Sequence, residues 1–152
     1  NINDKITYGE SHDILAEKSG SFILHTIQKL KSGIYLRPSN RKVTQANKIL
    51  KSEYRISLDN SSFVVHNQFR GLTPPGPHLL FNNRRVKLFE TYYINKNSFN
   101  IKKGSWVIEN DKLYIACASG ILTAKMIQFA GKNIITTKDF SNMNHNSQST
   151  FN

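Results

Sequence analysis

Apolar residues recur at helical spacing near the start of the chain. Thr7 and Glu10 form the sequence pattern of a capping box, and Gly33 provides a C-terminal stop. Together they predict an amphipathic helix over residues 8–31. Its apolar stripe consists of Leu15, Phe22, Ile23, Ile27 and Leu30. Since the polar segment that follows offers nothing to cover this stripe, we expect it to pack on a domain outside this sequence.

A basic linker and a second helix are predicted next. Residues 34–55 are rich in Lys and Arg and carry few apolar anchors, which is typical of an extended linker. A short helix is predicted to begin after Asp59 or Ser61. The stretch TPPGP at 73–77 must end it, because proline cannot continue a helix. We expect His66, within this helix, to be exposed or at the edge of the core.

After the proline turn the apolar pattern changes to a period of two, which is typical of β-strands. Asn82-Asn83 is predicted as a tight turn. In the strand predicted over 84–94, Val86 and Leu88 fall on one face, and basic residues alternate with them on the other.

The clearest strand pattern lies between residues 104 and 132. Leu113, Ile115 and Cys117 share one face, and the apolar pattern resumes after Gly120. Glycine there supplies the positive φ that a tight hairpin turn needs. This stretch therefore predicts a hairpin, with a third strand over 106–108 in front of it.

The predicted elements make the chain mainly β. About five antiparallel strands and one short helix are the content of a small OB-like antiparallel barrel. The expected parts are a first helix unit at 1–33, the basic linker at 34–55, the barrel at 56–140 and a tail at 141–152. The tail is expected to be disordered, because it is polar and poor in core-forming residues. Since the chain opens on Asn rather than Met, we expect it to begin partway through a longer protein.

The charge of the chain suggests a polyanionic partner. Lys and Arg outnumber Asp and Glu by 21 to 10, which gives a formal net charge of +11. Basic and acidic residues number four and four in 1–31, six and two in 32–60, and eleven and four in 61–140. The excess therefore lies entirely beyond the first helix. A polyanion is therefore the first partner to consider, and an ordinary solvated basic surface is the alternative.

Basic side chains in the linker and on the strands are the candidate RNA contacts. These side chains can bind phosphates if they lie on the same face of the protein. Phosphate contacts follow the shape of the RNA backbone and do not read bases, so recognition of RNA shape is favoured over base readout. The candidates are Arg41, Lys42, Lys48, Lys51, Arg84, Arg85, Lys87, Lys102, Lys103 and Lys125. Tyr92, Tyr93 and Trp106 have the chemistry for base stacking, although packing at the core and its edge is the favoured interpretation.

The sequence contains no recognisable active site. The five histidines show no ligand spacing with one another or with Cys117, so we expect no metal site. Cys117 lies in an apolar strand and is predicted to be a small core residue. No apolar run has the length of a membrane span and no secretory leader is apparent. We therefore expect a protein of the cytoplasm or of an organellar matrix.

Four stretches, taken in order, resemble methionyl-tRNA formyltransferase. INDKITYGESHDILAEKSGSFILHTIQKLKSG is similar to the end of the family's α/β, Rossmann-type domain. VTQANKILKSEYRISL resembles its linker, FVVHNQFRGLTPPGP resembles a helix and its proline turn, and the 104–132 stretch resembles its closing barrel. Two departures are Ser57-Leu58, where Asp-Trp is usual, and Pro75-Gly76, where an aromatic residue and proline are usual.

The resemblance implies a division of labour between this chain and an upstream domain. An OB-like C-terminal domain would bind initiator methionyl-tRNA, and the upstream domain would transfer a formyl group to it from 10-formyltetrahydrofolate. The catalytic residues would lie upstream, so none is expected here, and no cofactor either. Arg70 matches the family's arginine before the proline turn, and Lys48 and Lys51 match its linker lysines, so the resemblance adds Arg70 to the candidate RNA contacts. We expect a monomer. The alternative is the C-terminal part of a sugar N-formyltransferase.

Overall fold

The computed structural model describes residues 2–35, 43–144 and 149–152. The described helices are α1 (Tyr8–Lys31), a 3-10 helix (Lys51–Tyr54), α2 (Ser62–Gly71) and α3 (Thr137–Asn144). The described strands are β1 (Leu79–Phe81), β2 (Arg84–Phe89), β3 (Tyr92–Ile94), β4 (Trp106–Glu109), β5 (Lys112–Ala116), β6 (Ile121–Ala124), β7 (Met126–Phe129) and β8 (Ile134–Thr136).

α1 has the predicted bounds and the predicted capping box. The Thr7 hydroxyl accepts a hydrogen bond from the Glu10 N–H, and the Glu10 carboxylate accepts one from the Thr7 N–H at 2.7 Å. Gly33, with φ of +76°, follows the end of the helix. No residue of α1, which is described throughout, is buried, and Phe22 is 69% exposed. The apolar stripe is therefore open to solvent on the described chain.

The linker joins the β structure through its last residues. The Ile56 N–H donates to the His78 carbonyl at 2.9 Å, and the His78 N–H donates to the Tyr54 carbonyl at 2.8 Å. Ile56 and Leu58 then enter the core, where they are 1% and 3% exposed. Leu58 thus fills, with a smaller side chain, the position where the resembled family usually has Trp.

The described strands form two antiparallel four-stranded sheets. The first has the order β1-β2-β7-β8 and the second the order β3-β6-β5-β4. α2 packs on β3 and β6, whereas α3 contacts strands of both sheets. One continuous apolar core includes residues from both sheets, α2 and α3. The mainly β, OB-like fold class is confirmed, with the strands in two sheets rather than in one closed barrel.

The chain passes between the sheets at two adjacent corners. The single strand predicted over 84–94 is wrong, because Glu90 has φ of +48° and turns the chain from β2 in the first sheet to β3 in the second. Lys125 forms the return corner between β6 and β7. Its N–H donates to the Phe89 carbonyl at 3.2 Å, and its ammonium pairs with the Glu90 carboxylate at 3.0 Å. The two corners therefore support each other.

The hairpin of β5 and β6 has the predicted turn. Ala116 pairs with Ile121, and Gly120 has φ of +79°. A Cβ at Gly120 would also collide with the Ile94 carbonyl oxygen, so both the backbone angle and the available space require glycine. All four residues of β6 are buried, because β6 lies between β3 and β5 and packs against α2.

The prediction of a disordered tail over 141–152 is wrong for the described residues. Residues 141–144 belong to α3, and residues 149–152 return to the first sheet, while 145–148 lie outside the described residues. Phe151 is 1% exposed, and Asn152 exchanges backbone hydrogen bonds of 2.7 and 2.8 Å with Leu80. Polar composition was misleading here, because a single buried aromatic residue and backbone pairing hold the segment in place.

Candidate nucleic-acid interface

Side chains from the linker and the first sheet surround an open groove of about 630 Å³. Four of its lining residues are basic or can accept a proton, namely Lys51, His78, Arg85 and Lys87. We call this site the basic groove. No Asp or Glu is among the described residues that line it. Anions are therefore the ligands whose charge fits the groove.

The strand pairing explains why these side chains meet. Val86 and Leu88 of β2 are buried, so Arg85 and Lys87 fall on the opposite, outer face of the first sheet. The β1–β2 register pairs Leu79 with Val86, and extending it by one residue places His78 opposite Lys87. His78 was not among the candidate RNA contacts predicted from the sequence. The Asn82-Asn83 turn, which fixes this register, was the available signal.

The basic groove lowers the pKa of His78. Burial is the main cause, because it disfavours the charged imidazolium. The positive charges of Arg85, Arg55 and Lys87 act in the same direction. His78 is therefore a titratable group inside a positive field, and any anion bound beside these cations would favour its protonation.

Two of the cations in the basic groove are free to meet a ligand. Neither the Lys51 nor the Arg85 side chain forms an ion pair with a described residue. The Lys87 ammonium donates a hydrogen bond to the Pro75 carbonyl, which tethers it to the proline turn. The departure from the usual family sequence at Pro75-Gly76 thus lies directly at the rim of the groove.

The other predicted contacts lie in different places. Lys48 is exposed before the 3-10 helix, and Lys102 is exposed near β4. Lys103 pairs with Asp59, and Lys125 pairs with Glu90, which raises the pKa of Lys125. Arg84 borders a second cavity, described below. Arg41 and Lys42 lie outside the described residues.

Arg70 contacts the start of the chain. Its Nη1 donates to the Asn3 carbonyl at 2.7 Å and to the Ile6 carbonyl at 3.0 Å, and its Nε donates to Asn67 Oδ1 at 2.8 Å. These bonds fix the segment before α1 against α2. Arg70 does not line the basic groove.

His66 supports the same segment and is buried, so its predicted exposed or edge position is wrong. One ring nitrogen donates to the Asp4 carbonyl at 3.1 Å, and the other lies 3.0 Å from Thr91 Oγ1. Burial lowers the pKa of His66, and the neutral ring suits this role. The side chain is 4% exposed because the N-terminal segment, which the sequence did not place, covers it. We call His66, Arg70 and residues 3–6 the N-terminal clamp.

The three aromatic residues considered for stacking have packing contacts. The Trp106 indole N–H donates to the Ser149 carbonyl at 2.9 Å, and its ring packs against Phe140. Tyr93 meets Phe63 edge to face. Tyr92, which is 46% exposed, stacks on His66. These contacts agree with the packing interpretation.

Cys117 is confirmed as a core residue. It is 5% exposed, and burial raises the pKa of its thiol to about 11, which disfavours the nucleophilic thiolate. Within the described ranges, no three His, Cys, Asp or Glu side chains form a group able to hold a metal ion. The described helices also include none that is long and apolar enough to cross a membrane.

Comparison with known protein families shows which family this chain belongs to. The pattern of the family described as "Formyl transferase, C-terminal domain" matches residues 48–145, which is more than half of the chain. This chain belongs to the formyl transferase C-terminal domain family. The matched region includes the basic groove, both sheets and α2.

Curated relatives of this family member are named methionyl-tRNA formyltransferase. The protein of Clostridium novyi (strain NT) is 30% identical over 142 residues, which are 91% of this chain and 46% of the relative. The protein of Rickettsia bellii (strain RML369-C) is 31% identical over 137 residues, which are 90% of this chain and 44% of the relative. The predicted resemblance is confirmed. The chain spans less than half the length of these curated relatives.

Proposed function

We propose that this chain is the tRNA-binding part of a methionyl-tRNA formyltransferase. In this proposal the whole protein transfers a formyl group from 10-formyltetrahydrofolate to the amino group of initiator methionyl-tRNA, in the cytoplasm or in an organellar matrix. The chain itself would contribute binding and orientation, and the catalytic residues would belong to a domain upstream. The names of the relatives support the reaction.

The basic groove is the observation that carries the binding proposal. It presents Lys51 and Arg85 without a described ion-pair partner, and its described lining contains no carboxylate. Phosphates of an RNA backbone would fit this charge distribution. Because the cations come from the linker and from β2, RNA bound here would contact the linker and the first sheet together. Such contacts position an RNA and carry little sequence information.

Salt dependence of tRNA binding tests the proposal. Each phosphate contact releases counterions, so log K should fall linearly with log salt, with a slope of roughly −0.7 to −0.9 per contact. Lys51→Ala should remove about one phosphate contact and so reduce the magnitude of this slope by the share of one contact, roughly 0.7 to 0.9. Lys112→Ala, an exposed lysine on β5 of the second sheet, is the matched control and should leave the slope unchanged. A flat salt response would contradict phosphate contact in the basic groove, and the absence of RNA binding would favour the sugar N-formyltransferase alternative.

A further inference from the structure

A second cavity, of about 740 Å³, lies at the end of the first sheet. It is enclosed by the β1–β2 turn, the β7–β8 turn and α3, and we call it the end pocket. Its apolar side chains are Phe81, Phe129, Ile135 and Met143. Arg84 and Lys132 add two exposed cations. No carboxylate occurs among the described residues that line it, so its charge also favours an anionic ligand.

The aromatic side chains at the base of the end pocket are packed tightly against the core. Phe81 is 2% exposed, and its ring centroid lies 5.2 Å from that of Phe140 and 4.8 Å from that of Phe151. The Phe129 ring meets Phe81 edge to face. An aromatic cluster of this kind cannot easily relax to fill the cavity. In contrast, Met143 at the opening is 68% exposed, which leaves a flexible apolar side chain available to cover a ligand.

The end pocket adjoins the basic groove. Phe129 lines both, and Gly131 of the groove is followed directly by Lys132 of the pocket. Arg84 and Arg85 are consecutive in β2, so their side chains lie on opposite faces of the sheet, one at each cavity. The Ala130 N–H donates to the Arg85 carbonyl at 3.0 Å, which fixes this end of the sheet. A single polyanion could therefore contact both cavities.

We propose that the end pocket binds the base of an unpaired RNA nucleotide whose neighbouring phosphates occupy the basic groove. This inference rests on the proposed RNA binding. A nucleobase has apolar faces, which suit Phe129 and Met143, and a polar edge, which suits the amides of Asn82 and Asn133 at the same pocket. Its own phosphate would lie near Arg84 or Lys132. Any base has such faces, so the pocket would select unpaired nucleotides over paired ones without selecting a sequence.

The two methionines of the chain allow a direct test. Met143 borders the end pocket, whereas Met126 lies at the start of β7 and does not line that pocket. The 152-residue chain, with carbon-13 methionine methyl groups, is titrated with an RNA hairpin carrying a four-adenosine single-stranded tail. A second hairpin carries four abasic nucleotides in the tail, so the number of phosphates is the same. Met143→Leu assigns the two methyl signals.

The proposal predicts an upfield shift of the Met143 methyl signal with the adenosine tail, because the base ring lies against it. The abasic tail should produce little shift, and the Met126 signal should not move with either RNA. The adenosine hairpin should also bind about tenfold more tightly, as expected when base stacking contributes. Salt-dependent binding of both hairpins with equal affinity and an unmoved Met143 signal would overturn the end-pocket proposal alone. Failure of both hairpins to bind would overturn the proposed function as well.

Discussion

The basic groove and the N-terminal clamp use the same kind of residue in different ways. In the groove, Arg85 and Lys51 extend from a strand and a 3-10 helix and form no ion pair with described residues. In the clamp, Arg70 donates hydrogen bonds to the backbone carbonyls of Asn3 and Ile6. All three were predicted as RNA contacts. The structure separates cations that are available to a ligand from one that serves the fold.

This difference shows what a charge count cannot resolve. A basic side chain can bind a ligand only if its hydrogen-bond donors are not already occupied by acceptors of the protein itself. Arg70 uses its fork to satisfy three acceptors of the protein, which is a role that the planar guanidinium suits well. Arg85 instead stands on the solvent side of β2 because its neighbours Arg84 and Val86 point to the other face. The excess positive charge therefore acts through a smaller set of residues than the sequence suggests.

Charge reversal in the basic groove should have the largest effect. The double variant Lys51→Glu/Arg85→Glu removes two phosphate contacts and adds two repulsive charges. We expect tRNA affinity to fall on the order of 100-fold near 0.1 M salt, measured by fluorescence polarisation. The loss should shrink as salt is raised, because the interaction is electrostatic.

A matched double variant separates local contacts from net charge. Lys96→Glu/Lys112→Glu makes the same change of charge on exposed residues at or beside the second sheet. We expect it to weaken binding far less than the groove variant. Equal losses from the two variants would show that only the total charge matters and that the basic groove is not the contact site.

Removal of the clamp arginine should affect folding more than binding. Arg70→Met retains an apolar stem but removes all three hydrogen bonds, and hydrogen bonds from charged donors contribute about 2 kcal/mol each before allowance for solvent exposure. Since Arg70 is only half-buried, we expect a loss of about 2 kcal/mol in the free energy of unfolding. Urea denaturation followed by circular dichroism measures this loss.

Hydrogen exchange and tRNA binding identify what the Arg70→Met change disrupts. Amide protection at residues 6–9 should fall, whereas the affinity of the folded protein for tRNA should stay within about twofold. Arg70→Lys keeps the charge but loses the planar fork, so it should also destabilise the segment. If Arg70→Met weakens tRNA binding and Arg70→Lys restores it without restoring stability, Arg70 is an RNA contact after all.

Local sequence signals predicted the elements well. The capping box and Gly33 gave both ends of α1, and the positive φ required at Gly120 gave the β5–β6 turn. The alternation in β2 correctly separated Val86 from Arg85. Each of these features depends on residues that are close in the chain.

Features that depend on distant residues were missed. The break at Glu90 follows from a switch between sheets, which strand alternation does not reveal. The burial of Phe151 depends on the core surface that Phe81 and Phe140 provide. His66 is covered by the segment around Asp4, which lies 62 residues earlier in the chain. The composition of the polar tail and of α2 carried no sign of these contacts.

The smallest expected effect concerns the titration of His78 in the basic groove. In the free protein, burial and the nearby cations lower its pKa below the ordinary value. RNA phosphates beside Arg85 and Lys87 would offset the field of those cations, so the pKa of His78 should rise on binding. The complex then holds more protons than the free protein, and tRNA affinity should increase as pH falls from about 7 toward 5.

We expect the gain in affinity at the acidic end to be about threefold. His78→Gln should abolish this gain, because glutamine retains hydrogen-bonding capacity but does not titrate. His66 and the RNA titrate equally in both proteins, so the difference between the two pH profiles isolates His78. Identical profiles for the wild type and His78→Gln would mean that no phosphate binds close enough to sense this imidazole, and would contradict phosphate binding beside Arg85 and Lys87 in the basic groove.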